Sequence, residues 1–294
     1  MAAVLNSNVA SLYASKNLQG AQSKMADSVE RLSSGLRINR AKDDAAGLGI
    51  SNALTSQINS ANQGVRNLND GISLVQTAEG AITAAQEMAQ RILTLAVQGA
   101  NGTLGLNERT AIQSEMNTLL SAMDLISTRT TFSGLSLLDS TVGLGSGTAK
   151  FTLQVGKDST DKIELDQTAF KMVGKTTGQA TAVNALIIHA DITSTVMATA
   201  QTQFRSVATS AGTLIENLSK QRSLLGAYQN QIEYTVSNVT DLAANLSAAR
   251  SNVQDTDYAS ETASLTKGQI LQQAATAMLA QANQMPNVIL SLLK

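Results

Sequence analysis

The chain has 294 residues and is 43% hydrophobic, which excludes wholesale disorder, yet it is only 3% aromatic, lacks Trp and has a single Pro. That is the palette of one large or two ordinary domains built from long helices packed through small residues, not of an enzyme core with bulky side chains. A net charge of −1 offers no basic surface for nucleic acid, and the absence of Cys removes thiol catalysis, thiolate metal sites and disulfides.

Met1 to Ser15 is uncharged and interrupted by Asn and Ser, so it does not read as a Sec-type signal peptide. Leu5, Val9 and Leu12 continue, after a phase slip near Lys16, into Leu18, Gln22, Met25, Val29, Leu32 and Leu36, the four-three spacing of a helical stripe. This helix breaks at Ser33-Ser34-Gly35. An irregular linker from Ser34 to Gly47 follows, carrying Arg37, Arg40, Lys42, Asp43 and Asp44. From about Leu48 a long helix begins, striped by Leu54, Ile58, Ala61, Val65, Leu68, Ile72, Val75, Ile82, Ala85, Met88, Ile92 and Leu95. Some fifty residues at 1.5 Å each make a rod of about 75 Å, too long for an ordinary globular domain. Glycines from Gly99 to Gly105 stop it, and Asn107 is placed to cap a second helix striped by Ile112, Met116, Leu119, Met123 and Ile126.

Between about Thr130 and Ala200 the period changes. Phe151, Leu153 and Val155 alternate with polar residues, and Ile163 and Leu165 follow a polar turn, which together predict a β-hairpin; residues 167 to 198 have no clear pattern. Phe204, Ala211, Leu218, Leu225, Ile232, Val239, Leu246 and Val253 then recur every seven residues, with Val207, Leu214, Tyr228, Leu242 and Ala249 on the same seam. Such a run specifies a coiled coil whose natural partner is the Leu48 to Ala96 rod. A polar break from Asp255 to Ser260 precedes a last helix with the stripe Leu271, Ala275, Met278, Ala282, Met285, Ile289 and Leu292. No charge lies between Lys267 and Lys294, but the opposite face is rich in Gln and Asn, which excludes a membrane span. Burying the large stripe residues is worth about 1.5–3 kcal/mol each, so this helix is made to pack against protein.

The expected fold class is therefore mainly α, with long antiparallel coiled-coil rods, paired terminal helices and a small central β-hairpin. Its parts are 1–47, an N-terminal helix and linker; 48–140, the N-terminal rod helices; 141–200, a short β-rich region; 201–254, the C-terminal rod helix; and 255–294, a linker and the C-terminal helix. Candidate chemistry is sparse. The Gly143-Leu-Gly-Ser-Gly run lacks the strand and helix of a phosphate loop, and His189, the only His, cannot assemble a Zn site or a His-based triad without Cys. Asp43 and Asp44 diverge if helical, and Arg40 and Lys42 offer them ordinary ion pairing. Four Asn-X-Ser/Thr triplets are the chance product of a polar helix. No catalytic residue, cofactor or metal ligand is expected.

Particular residues carry a resemblance. Arg31-Leu-Ser-Ser-Gly-Leu-Arg-Ile-Asn39, Ala41-Lys-Asp-Asp-Ala-Ala-Gly47, Asn69-Asp-Gly-Ile-Ser73, Gln76-Thr-Ala-Glu-Gly80, Leu246-Ser-Ala-Ala-Arg250, Gln269-Ile-Leu-Gln-Gln273 and Ala280-Gln-Ala-Asn-Gln284 resemble the terminal signatures of bacterial flagellin, over roughly residues 1–140 and 200–294. The resemblance implies a non-enzymatic, secreted subunit of the extracellular flagellar filament, with an inner tube of terminal helices, an outer coiled-coil domain and a reduced variable region. It implies export unfolded through the flagellar type III apparatus, an export chaperone on the C-terminal helix, and contacts with itself and with hook-associated junction and cap proteins. A hook–filament junction protein of the same terminal architecture is the alternative. Polymerisation is expected to use Leu5, Val9, Leu12, Leu18, Met25, Leu32, Leu271, Met278, Met285, Ile289 and Leu292. The two polar linkers, with Arg37, Arg40, Asp43, Asp44, Asp255 and Asp257, are the expected hinge. The family's innate immune receptor site maps to Arg91, Leu95 and Glu115, while Leu93 and Thr94 stand where stimulatory flagellins carry Arg and Glu.

Overall fold

The computed structural model describes residues 8–138, 150–166, 169–170 and 197–292, with side chains as far as Gln284 in the last helix. His189 and the Gly143 run lie outside the described residues. Helices α1 (Val9–Ser34), α2 (Ala45–Gly99) and α3 (Leu106–Arg129) come first. Strands β1 (Thr131–Phe132), β2 (Leu135–Ser136), β3 (Lys150–Gln154) and β4 (Lys162–Asp166) follow, then helices α4 (Met197–Gln254) and α5 (Tyr258–Leu292). The chain forms two compact units, Met1–Ile58 with Ala244–Lys294 and Asn59–Ala243, so the division falls inside α2 and α4 and not at the polar linkers.

In the second unit the heptads of α4 are the core. Phe204, Ala211, Leu218, Leu225, Ile232 and Val239 are all buried, with Val207 and Leu214 between them, and all but Val239 share one core with Leu68, Val75, Ile82, Ala85, Ile92 and Leu95 of α2. The two helices run antiparallel, as the cross-contacts show: Gln86 donates to Ser219 at 3.2 Å, Arg222 donates to Gln86 at 3.1 Å and approaches Glu79 at 3.7 Å, and Phe204 lies against Gly99. Helix α3 adds Ile112, Met116 and Met123 to the same core. Its cap differs from expectation. Gly105 is the N-cap, with no side-chain bond, and Asn107 is already helical. Leu106 instead begins the helix, and Glu108 in the first turn supplies the favourable negative charge.

The expected β-hairpin is present as β3 paired antiparallel with β4, Phe151 opposite Leu165 and Leu153 opposite Ile163. It docks on α2 where Gly64 leaves room: a Cβ there would strike the backbone carbonyl of Val155. Asn67 donates to the Gln154 carbonyl at 2.8 Å, and the backbone N–H of Asp166 donates to the Tyr228 hydroxyl of α4 at 3.1 Å. A second, shorter hairpin, β1 with β2, was not expected from periodicity. Two-residue strands are too short to show alternation, and the turn is carried by Ser133 at φ 51° and Gly134 at φ 82°, the positive pair of a tight hairpin.

On the outer face of β3 and β4, Lys150 donates to Glu164 at 2.6 Å and Lys162 sits 2.9 Å from its other oxygen. The Lys150 hydrogen bond, then that of Lys162, holds the Glu164 carboxyl down at about 2, and Glu164 in turn raises Lys150. Because the folded value lies below the ordinary 4.5, the contribution is full above 4.5 and is lost as pH falls towards about 2. We expect the amide signals of Phe151 and Ile163 to lose native dispersion over that window, and Lys150→Met to flatten the response. An unchanged titration in Lys150→Met would discard the pairing as the cause.

Candidate functional site

The first unit is built on an antiparallel pair of helices, α1 with α5. Two seven-residue rows of small side chains bring them together: Ala14, Ala21 and Ser28 on α1, Gly268, Ala275 and Ala282 on α5, all buried. Small residues let the backbones approach closely, and Gly268 lies directly against Met25. Leu18, Met25 and Leu32, expected on the polymerisation stripe, are half-buried along this seam, as are Leu265, Gln272 and Leu279 of α5.

The other expected stripe residues are placed differently. Val9 is 48% exposed, Leu12 71%, Leu271 46% and Met278 64%, and Tyr13, Val29 and Ile270 are exposed beside them. They lie off the seam because the heptad that pairs the two helices runs through Ala, Gly and Ser, which rotates the larger side chains outward. The pair thus carries its bulky apolar surface in solvent. Leu5 lies outside the described residues, as do the side chains of Met285, Ile289 and Leu292.

The linkers are short and tied together. Helix α1 ends on Gly35 in the left-handed region at φ 72°, its N–H bonded to the Arg31 carbonyl. Leu36 then forms an isolated antiparallel bridge with Asp255, in which Arg37 N–H donates to Gln254 at 2.7 Å and Thr256 N–H donates to Gly35 at 2.9 Å. The Arg37 guanidinium adds a 2.7 Å bond to the Val253 carbonyl, Ile38 is buried, and Ser51 bonds Gln254. The irregular linker ends at Asp44, since α2 starts at Ala45, and the second break is only residues 255–257, since α5 starts at Tyr258.

The linker charges correct the expected ion pairing. Asp43 and Asp44 do not pair with Arg40 and Lys42. Asp43 accepts the backbone N–H groups of Arg40 at 2.9 Å and Asn39 at 3.2 Å, and the Arg40 bond chiefly holds its carboxyl below the usual range. Asp44 caps α2 through Gly47 N–H at 2.8 Å, and Asp257 caps α5 through Ala259 N–H at 2.9 Å. Asp255 accepts from the Ser251 hydroxyl at 2.6 Å. Local backbone donors lie closer to these carboxylates than the long cationic side chains do. Arg40 reaches back to Glu30 at 2.7 Å and Lys42 to Asp27 at 3.9 Å, while Arg31 meets Glu261 at 3.7 Å.

Of the three residues mapped to receptor contact, Arg91 and Glu115 are exposed and bonded to each other, the guanidinium spanning Glu115 at 2.9 and 2.6 Å. Leu95 is 2% exposed within the core of the second unit, so it is packing and not available surface. Among the described residues, no group of His, Cys, Asp or Glu is arranged to hold a metal ion, and no helix is long and apolar enough to cross a membrane.

Residues 5–142 match the bacterial flagellin N-terminal helical region, and residues 208–293 match the bacterial flagellin C-terminal helical region. The chain is 38% identical over 291 residues to a flagellin of Halalkalibacterium halodurans, covering 99% of this chain and 100% of that protein. It is 38% identical over 302 residues to a flagellin of Bacillus subtilis, covering 99% of each, and 37% identical over 299 residues to the flagellar filament 33 kDa core protein of Treponema phagedenis, covering 99% of this chain and all of that one. A solved structure assigned to a flagellar hook-associated protein from Vibrio parahaemolyticus shares the fold at a TM-score of 0.58 and 12% identity, over 72% of this chain and 100% of that one. With both terminal regions matched and relatives aligned along their whole length, the chain belongs to the bacterial flagellin family.

Proposed function

We propose that this flagellin is a structural subunit, without catalytic activity, that self-assembles into the extracellular helical filament of the bacterial flagellum and so serves swimming. The observation that carries the reading is the α1 and α5 pair, which closes on small residues and turns Leu12, Tyr13, Ile270, Leu271 and Met278 outward. Large apolar side chains left exposed on a helix pair gain burial from a second copy. Purified chain seeded with short filament fragments should elongate them into filaments visible by electron microscopy. A chain that only caps the fragments, adding a limited number of subunits, would instead support the hook–filament junction reading.

The finer partners rest on the same surface and on the family. The apolar face of α5 suits capture in the groove of an export chaperone before passage through the type III apparatus, and the filament ends suit hook-associated junction and cap proteins. The linkers are the proposed hinge. Arg40→Ala removes an exposed pair with Glu30 worth about 0–1 kcal/mol, so secreted monomer should stay level while filament waveform changes across salt and pH. Waveforms identical to the parent would move the hinge to the β-hairpin or the rod surfaces.

Arg91 and Glu115 are the proposed contacts for a host innate immune receptor. Arg91→Ala should lower the response to monomer in a receptor reporter assay, and an unchanged response would remove Arg91 from the site.

A further inference from the structure

Pro286 is the only proline in the chain and lies inside α5. In an α-helix each carbonyl accepts from the N–H four residues on, so a proline at 286, which has no N–H, leaves the carbonyl of Ala282 without that donor from its own helix. Ala282 is 5% exposed, too buried for water to make up the loss readily. The structure supplies a donor from the other helix. The side-chain amide of Asn8 donates to the Ala282 carbonyl at 2.7 Å.

The same side chain has a second task. Its oxygen accepts the backbone N–H of Ser11 at 3.0 Å, which makes Asn8 the N-cap of α1. One turn further, the Ser11 hydroxyl is bonded to the Asn283 side chain at 3.0 Å. An amide carries its acceptor and its donor on two separate atoms, so one caps while the other bridges; Asp offers no donor, and the Ser or Thr hydroxyl, one bond shorter, has both on a single oxygen that stays at the cap.

We infer that Asn8 splices the two helices, starting α1 while replacing the hydrogen bond that Pro286 withholds from α5, so that the helix beyond Ala282 is held in order by the start of α1. Order at one end of the chain is thereby conditional on the other end. Because the proline lies in the last turns of α5, the device controls a short terminal stretch and leaves the rest of the pair, seamed by Ala14, Ala21, Ser28, Gly268 and Ala275, to stand by packing alone.

Hydrogen exchange on filaments in which each full-length variant is copolymerised with the parent chain tests this. Asn8→Asp and Asn8→Ser both keep an acceptor for Ser11 N–H and lose the bridge to Ala282. In either, amides of residues 283–290 should exchange about fivefold faster, the factor expected for one hydrogen bond, while those of residues 12–16 stay as in the parent. Pro286→Ala restores the missing N–H, so in that background the substitutions at Asn8 should no longer change exchange in 283–290. Equal acceleration at both ends of the pair, or an undiminished effect of Asn8→Ser with Pro286→Ala, would overturn the splice and leave Asn8 as a cap only. Should Asn8→Asp loosen the whole pair through its added charge, Asn8→Ser with and without Pro286→Ala still decides.

Discussion

A chain ending at residue 260 is expected to keep its second unit folded and to lose filament growth completely. The shortening removes nearly all of α5, and with it Gly268, Ala275 and Ala282, so Ala14, Ala21 and Ser28 have nothing to close on and α1 melts. The core of Leu68, Val75, Ile82, Ile92, Phe204, Leu218 and Leu225 is untouched. Circular dichroism should therefore show the melting transition of the second unit near that of the full chain, with lower helix content. Seeded sedimentation should show no polymer. Normal filaments from the shortened chain would mean that the α1 and α5 pair is not the assembly surface.

Phe204→Ala should be the most destabilising single change in the second unit, by about 3–5 kcal/mol. Phe204 is fully buried, and its ring fills the space over Gly99 at the end of α2, where the glycine has no side chain to fill the cavity left behind. Denaturant unfolding followed at 222 nm measures it, and a cost under about 1.5 kcal/mol, the range of a tolerated swap, would show that the site collapses around the loss. Leu242→Ala is the control. It occupies the expected seam of α4, yet the side chain is exposed, so its removal should be close to neutral.

That contrast shows what could be read beforehand. The α2 and α4 core was legible because Phe204, Leu218, Leu225 and Ile232 recur every seven residues and each is large enough to mark the buried face. The hairpin was legible because Phe151, Leu153, Ile163 and Leu165 alternate. In α1 and α5 the same search mixes two faces: Leu12, Val29, Leu271 and Met278 are exposed, while Leu18, Met25 and Leu32 are half-buried on the seam and Ala275 and Ala282 are buried in it, since the seam is written mainly in Ala, Ser and Gly, which hydropathy hardly distinguishes from surface. The usable signal was the spacing of small residues, Ala14, Ala21, Ser28 and Gly35 against Gly268, Ala275 and Ala282. In the linkers, Asp43 and Asp44 looked like ion-pair partners of Arg40 and Lys42 because charge is visible in sequence, whereas the backbone N–H groups they actually bond are not.

The contacts that close the first unit join residues very far apart in the chain: Asn8 to Ala282 across 274 positions, Arg37 to Val253 across 216, and Ser51 to Gln254 across 203. Closing such loops is slow; the Arg37 and Ser51 contacts need the end of α4, and the Asn8 contact needs nearly the whole of α5. Chains broken off before α5 therefore have no route to a finished helix pair, however well their middle folds. The topology makes completeness a condition of the pairing itself: the outward apolar face of α1 and α5 exists only on a molecule whose two ends have already met.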